Sequence, residues 1–432
     1  MSTHSCEKKL RRRIHCLFDN DPQFAAGRPD DEITVATSRP GLRLPQIAAT
    51  VMQGYANRPA IGQRALRFCK DSGTCRTVAE LLLRFDTVTY RELWDLARAA
   101  ATAMACKPVR SGDRVCVLGF ASVDYAVIDL ALIRLGAVSV PLQASTPVAQ
   151  LRPIVVETKP SVIVSSIDCL SDAVELVLAG YAPTRLVVLD YHPEVDDERD
   201  ALDAAKSQLA DARSIMIVEP LGDVIARGKR LVHAPMVIPD EADPLRLLIY
   251  TSDRTGHLEG TMYPERLVAN FWRRSGGSFA SSVAPSITLN CAPMSHALGW
   301  HILYRTLGSG GTAYFAAKND LSTLLDDLAL VRPTDLSFVP RIWEKLFAEF
   351  QGQLHRRAAD GTDWAMREAE IMSDVRVKLV GGRCISAMSS SAPITAELKA
   401  WVESLLDLKL VGSRGPTEGA ANLVDLQPLG RL

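Results

Sequence analysis

Residues 114–142 hold two short apolar runs, RVCVLG and AVSVPL, with a helical pattern between them, and this arrangement constrains the fold more than any other stretch. Ser122 stands where it caps a helix whose Tyr125, Ile128, Ala131, Leu132 and Leu135 share a face, and Gly136 stands where that helix ends. Strands joined through a helix lie parallel rather than in a hairpin, so the unit predicts a sheet flanked by helices. Further apolar runs at 162–164 and 186–189 extend it, before a polar stretch at 193–211. A second series begins at Leu245 and predicts strands at 287–292, 312–316, 336–339, 377–380 and 408–411. Helices are expected between them over 321–330 and 341–350, and Ile394, Leu398, Trp401 and Leu405 mark one more. Earlier, Ile47, Val51 and Tyr55 repeat at helical spacing, 87–90 reads as a strand and 91–104 as an Ala-rich helix. The expectation is α/β: a peripheral lead-in over 1–45, a first lobe over 46–240, a second over 241–432, and a join at 232–243.

A chain of 432 residues is long enough for two or three units with sizeable cores. Its 49 basic and 50 acidic residues give no field to gather nucleic acid or an anionic membrane. The cluster Lys8, Lys9, Arg11, Arg12 and Arg13 is interrupted by Glu7 and Asp19 and is followed by no aromatic interleaving, so it reads as a solvated helix face. No apolar segment approaches the length of a membrane span, and no apolar core of a secretory signal follows Arg13. Nine cysteines are scattered without a C-x-x-C pair, which predicts free thiols in a reducing cytoplasm and neither a disulfide framework nor a structural zinc site.

In residues 247–264, LLIYTSDRTGHLEGTMYP, an apolar strand opens into a loop with Thr251, Ser252, Thr255, Gly256 and Gly260 before Pro264 starts a helix. Small residues let backbone N–H groups approach an anion, hydroxyls add donors, and the following helix is expected to offer its positive end. The stretch resembles the YTSGSTGxPKG signature of adenylate-forming enzymes, and TMYPERLVANFW is similar to one branch, the carboxylic acid reductases. Residues 85–94, 118–143, 190–205 and 310–347 resemble the same adenylation domain, so the likeness runs from about Asp21 to the end.

The resemblance implies two layered α/β lobes that join ATP, with Mg²⁺, to a fatty or aromatic carboxylic acid, giving acyl-AMP and pyrophosphate along their seam. It gives the phosphate role to Thr251, Ser252, Thr255, Gly256 and Gly260, and places His296, in PMSHALG, beside the bound acid. Ser391, Ala392 and Pro393 match a turn lining the acyl and adenine pocket. In GSRGPTEGA, Gly415 matches, Thr417 would contact phosphate and carboxylate oxygens, and Glu418 would hold the metal. The expected partners are a small carboxylic acid and ATP.

Several positions depart from the family pattern. Asp253 and Arg254 replace Gly-Ser, Leu258 replaces Pro, Ser390 replaces Gly, Arg414 an aromatic and Pro416 a Ser. Glu259 replaces the loop lysine, and at an effective dielectric near 20 a unit pair about 4 Å apart is worth about 4 kcal/mol. Impaired or absent activation is therefore expected, the alternative being a non-catalytic carboxylate- or nucleotide-binding protein or a decayed fragment. The family's small third lobe, its phosphopantetheine carrier and its NADPH-dependent reductase have no counterpart in the sequence, so a truncated core, poorly protected after about Gly412, is expected.

Overall fold

A computed structural model of the protein describes residues 3–106, 109–252, 258–273, 283–357 and 364–412. Two seven-stranded sheets sandwich a layer of helices. The first runs β7-β6-β5-β3-β4-β8-β9, with β3 at Arg114–Leu118, β4 at Val138–Leu142, β5 at Val162–Ser166 and β6 at Arg185–Leu189. Its remaining strands are β7 at Ile217–Pro220, β8 at Leu245–Ser252 and β9 at Leu258–Pro264. The second runs β14-β13-β12-β10-β11-β1-β2, with β1 at Pro59–Lys70, β2 at Thr77–Thr89, β10 at Ile287–Asn290 and β11 at Thr312–Phe315. It is completed by β12 at Asp335–Phe338, β13 at Ser386–Ser389 and β14 at Val411–Gly412.

Strand alternation explains the layering. Val115 and Val117 of β3 face the middle helices, while Cys116 and Leu118 face the outer helices of the first sheet. In β11, Ala313 and Phe315 point into the same middle layer and Tyr314 points away. The Val123–Leu135 helix is therefore covered on every side, and each of its residues except Asp124 is buried. Ser122 Oγ accepts from Tyr125 N at 3.1 Å, and Gly136 ends the helix at φ +72, as the sequence led us to expect. The Tyr304 hydroxyl donates to Asp129 Oδ2 inside this layer, satisfying a carboxyl group that burial holds well above the usual carboxylate range.

Four expectations are corrected. The sheets do not divide at residue 240: β8 and β9 close the first sheet, and β1 and β2 join the second. The lead-in is not peripheral, because Ile14 and Phe24 bury against Ala284 and Ile385, and Arg383 donates to Asp21 Oδ2 at 2.9 Å and Gln23 Oε1 at 2.8 Å. Residues 87–89 are only the end of the long β2, which pairs antiparallel with β1, and Tyr90 already begins the next helix. Residues 377–380 are not a strand, for Val375–Leu379 forms a π-helical turn. Val377 is exposed, and Arg376 donates to the Ser404 and Leu405 carbonyls, holding the segment against the Ala396–Leu406 helix. The serine-rich β13 takes the sheet position instead.

Candidate active site at the carboxyl edges of the two sheets

Ligands of open parallel sheets bind beyond the carboxyl ends of the strands. Here the carboxyl ends of β3, β4, β10 and β11 converge on a pocket of about 160 Å³ whose lining includes Phe120, Gln143, Ser145, Pro293, Ser295 and Lys318. One wall is thus supplied by each sheet.

The loop after β10 is tightly specified. Asn290 is buried; its Nδ2 donates to Gly299 O at 3.1 Å and its Oδ1 accepts from Ala292 N at 3.1 Å. Trp300 Nε1 donates to Met294 O at 2.6 Å. A Cβ on Gly299 would lie 2.6 Å from Pro293 O, so glycine is required for this close approach. These contacts set His296 at the start of the Ala297–Gly308 helix, with its N–H on Pro293 O at 3.0 Å. Its ring meets solvent, yet the protein packed around it removes enough hydration to lower its pKa below the ordinary histidine value. The shift favours the neutral ring, which offers a hydrogen bond rather than a charge. His301, one turn on, is buried and pushed down to about 4 by lost hydration and by Arg305.

The turn after β13 lies beside this loop, since Met388 packs with Ala292 and Leu298. Ser391 adopts φ +73, and Ala392 and Pro393 are exposed. Just before them, Ser389 and Ser390 are buried with hydroxyls that have no protein partner. The structure therefore sets the loop that carries His296 beside the turn of Ser391 to Pro393 at the carboxyl edge of the second sheet, with Pro293 and Ser295 of that loop lining the pocket. Ser389 pairs with Gly412, from which the chain continues into Gly415, Thr417 and Glu418, all outside the described residues.

Thr251 reaches the carboxyl edge of the first sheet, where β8 runs parallel to β4. The layout of this stretch differs from the expected strand, loop and helix. Residues 258–264 are a strand, antiparallel to β8, with Thr251 opposite Glu259, Ser252 opposite Leu258 and Gly260 opposite Tyr250. Gly260 is buried, and a Cβ there would lie 3.2 Å from the Tyr250 ring. The helix begins at Glu265, at the far end of β9 from the loop, so its positive end is not offered to a ligand there. That end is occupied by the Glu265 carboxylate, which accepts from Arg246 Nη2 at 2.6 Å and from Arg43. Thr255 and Gly256 lie outside the described residues.

Sequence reasoning missed Asn290, which reads as an ordinary strand end, and the Arg64–Asp327 pair, whose members are far apart in the chain. Among the described residues no group of three His, Cys, Asp or Glu is placed to hold a metal ion, and no helix is long and apolar enough to cross a membrane.

The family model of AMP-binding enzymes matches residues 71–431. The carboxylic acid reductase of Mycobacterium tuberculosis is 56% identical over 422 residues, covering 97% of this chain and 36% of that protein. That of Mycobacterium marinum is 51% identical over 431 residues, covering 98% of this chain and 36% of the relative, so the chain spans little more than a third of these proteins. The adenylation domain of the Mycobacterium chelonae carboxylate reductase superposes with a TM-score of 0.92 at 42% identity, covering 98% of this chain and 64% of that one. The A domain of the Segniliparus rugosus carboxylic acid reductase, in complex with AMP and a co-purified carboxylic acid, gives 0.90 at 41% identity, covering 98% of this chain and 66% of its own.

Proposed function

Because the chain belongs to the AMP-binding enzyme family, with strong homology to the adenylation domains of carboxylic acid reductases, we propose that it binds ATP and a carboxylic acid for acyl-AMP formation. A carboxylate oxygen attacks the α-phosphorus and pyrophosphate leaves, a reaction served by positioning and electrostatics. The observation that carries this reading is the convergence of the His296 loop and the Ser391 turn on one sheet edge beside a pocket walled by both sheets. In it, His296 stands beside the acid, Ser391, Ala392 and Pro393 line the acyl and adenine pocket, and Thr251, Ser252, Thr255, Gly256, Gly260 and Gly415 serve the nucleotide. Thr417 contacts the reacting oxygens and Glu418 holds Mg²⁺.

Within that reading, turnover is impaired. Glu259 sits opposite Thr251 on the hairpin, so its negative charge lies beside a residue given to the phosphates. This also favours a second reading, binding without turnover. Pyrophosphate exchange with octanoate and benzoate distinguishes the two. Exchange far below that of the Mycobacterium chelonae adenylation domain is expected. Asp253→Gly, Arg254→Ser and Glu259→Lys together should strengthen Mg·ATP binding at least about tenfold by calorimetry. Exchange equal to the relative's overturns the impairment, and calorimetry that finds neither ATP nor acid binding overturns both readings.

A further inference from the structure

A buried ion pair ties the β1–β2 hairpin to the site. Arg64 Nη1 donates to Asp327 Oδ1 at 2.7 Å, with the two side chains 4% and 0% exposed. Arg64 is itself fixed by its Nε on the Leu82 carbonyl at 2.6 Å. The other carboxylate oxygen of Asp327 accepts from Ala317 N at 3.0 Å and from the Thr323 hydroxyl at 2.9 Å. Three parts of the second sheet's layer thus meet on one carboxylate: a strand, the loop after β11, and the residue that leads into the Leu324–Val331 helix.

Burial of this kind needs an explanation, because a buried ion pair replaced by apolar side chains of similar volume often leaves stability unchanged or raises it. What apolar side chains cannot supply is the acceptor for Ala317 N–H. From that anchor a line of hydrogen bonds runs into the site. Ala316 N donates to Asn290 O at 3.2 Å, the Asn290 side chain holds Ala292 and Gly299 at 3.1 Å each, and Gly299 N donates to His296 O at 3.0 Å. The same anchored loop carries Lys318 into the pocket lining.

We infer that Asp327, held by Arg64, is a positioning residue for acid binding: it acts through the main chain of Ala316 and Ala317 and through Asn290 on the loop that carries His296. The inference rests on the proposed carboxylic acid site, and its test separates the two. Octanoate and AMP binding to the full chain are measured by calorimetry, with a thermal melt of each variant. Asp327→Leu with Arg64→Met fills the volume and removes the acceptor. It is expected to fold with a lowered melting midpoint, because Ala317 N–H loses its acceptor, to weaken octanoate about tenfold and to change AMP affinity less than about twofold. Asp327→Asn with Arg64→Gln keeps a side-chain oxygen for Ala317 N–H and is expected to restore octanoate affinity to within about twofold. Ala317→Pro removes the same N–H with the pair intact and is expected to reproduce the loss, which keeps the test decisive if the apolar pair does not fold. Wild-type octanoate affinity in Ala317→Pro, or equal losses for octanoate and AMP in folded variants, overturns the positioning role. A wild-type chain that binds AMP but no acid overturns the proposed site itself, and the inference with it.

Discussion

The two sheets are alike in strand number and differ in how the chain supplies them. The first is drawn from one unbroken stretch, β3 to β9, while the second gathers β1 and β2 from before that stretch and β10 to β14 from after it. Its early and late pieces meet where β1 pairs with β11, Ile61 opposite Ala313. The means of attachment differ accordingly. Strands β4, β5 and β6 are buried at every position, and their order follows from short crossovers and apolar faces. Ion pairs in the first sheet, Arg185 to Glu219 and Arg246 to Glu265, join segments close in the chain, whereas in the second layer pieces remote in sequence are tied by buried charged groups: Arg64 to Asp327, and Arg383 to Asp21. Apolar burial is non-directional, so it suffices where the chain already limits the choice of neighbours. Joining distant segments in one register calls for directional bonds.

The largest effect should come from the shared layer, where the contrast ought to vanish. A Cβ on Gly308 would overlap the Trp272 backbone carbonyl, so Gly308→Ala is expected to cost about 3 kcal/mol or more and to speed hydrogen exchange in both sheets. Protection lost from one sheet alone would show that the layer does not couple them. Next comes Arg64→Met by itself, which leaves the Asp327 carboxylate buried and unpaired at a cost of about 3 to 5 kcal/mol. Exchange should accelerate in β10 to β13 while β3 to β6 stay protected; equal acceleration would break the comparison.

A smaller effect, confined to the first sheet, is expected from pH. Asp190 follows β6 at φ +55, its N–H on Asp124 Oδ2 at 2.8 Å. Burial and then the Asp124 charge push its carboxyl from 3.8 to about 8. Between those values the folded chain holds a proton that the unfolded chain has released, so stability declines as pH rises through the window. The melting midpoint should fall from about pH 5 to about pH 8, and Asp190→Asn should flatten that fall. His192, raised above its ordinary value by its hydrogen bond to Glu198, works in the same direction, as do Asp124 and Asp129, both raised by burial, and these contribute to the remaining slope. An unchanged slope in Asp190→Asn would assign the whole effect elsewhere. Smallest should be Arg76→Ala at the tip of the β1–β2 hairpin, where the half-buried Arg76 bridges to the exposed carboxylates of Asp197, at 2.7 Å, and Asp200. Faster exchange at the tip, without a shift in the melting midpoint, is the expected reading.

What was legible in the sequence follows the same division. β3 to β6 were readable because their apolar runs are short, and β3 and β4 flank a helix whose ends Ser122 and Gly136 mark. β1 and most of β2 were not, since their mixed residues are only partly buried and their pairing depends on a distant partner. β13 hid in a serine run, and its apparent place at 377–380 went to a helical turn fixed by Arg376. At the site, the motif around His296 was readable as a pattern, whereas the work of Asn290 and Asp327 resides in contacts that no local pattern records.

The last described pair of the β8–β9 ladder sets Ser252 opposite Leu258, and from there back to Leu247 and Tyr263 the register runs without a shift. The two strand ends are therefore like the piers of a bridge, whose separation the first sheet fixes whatever is exchanged between them.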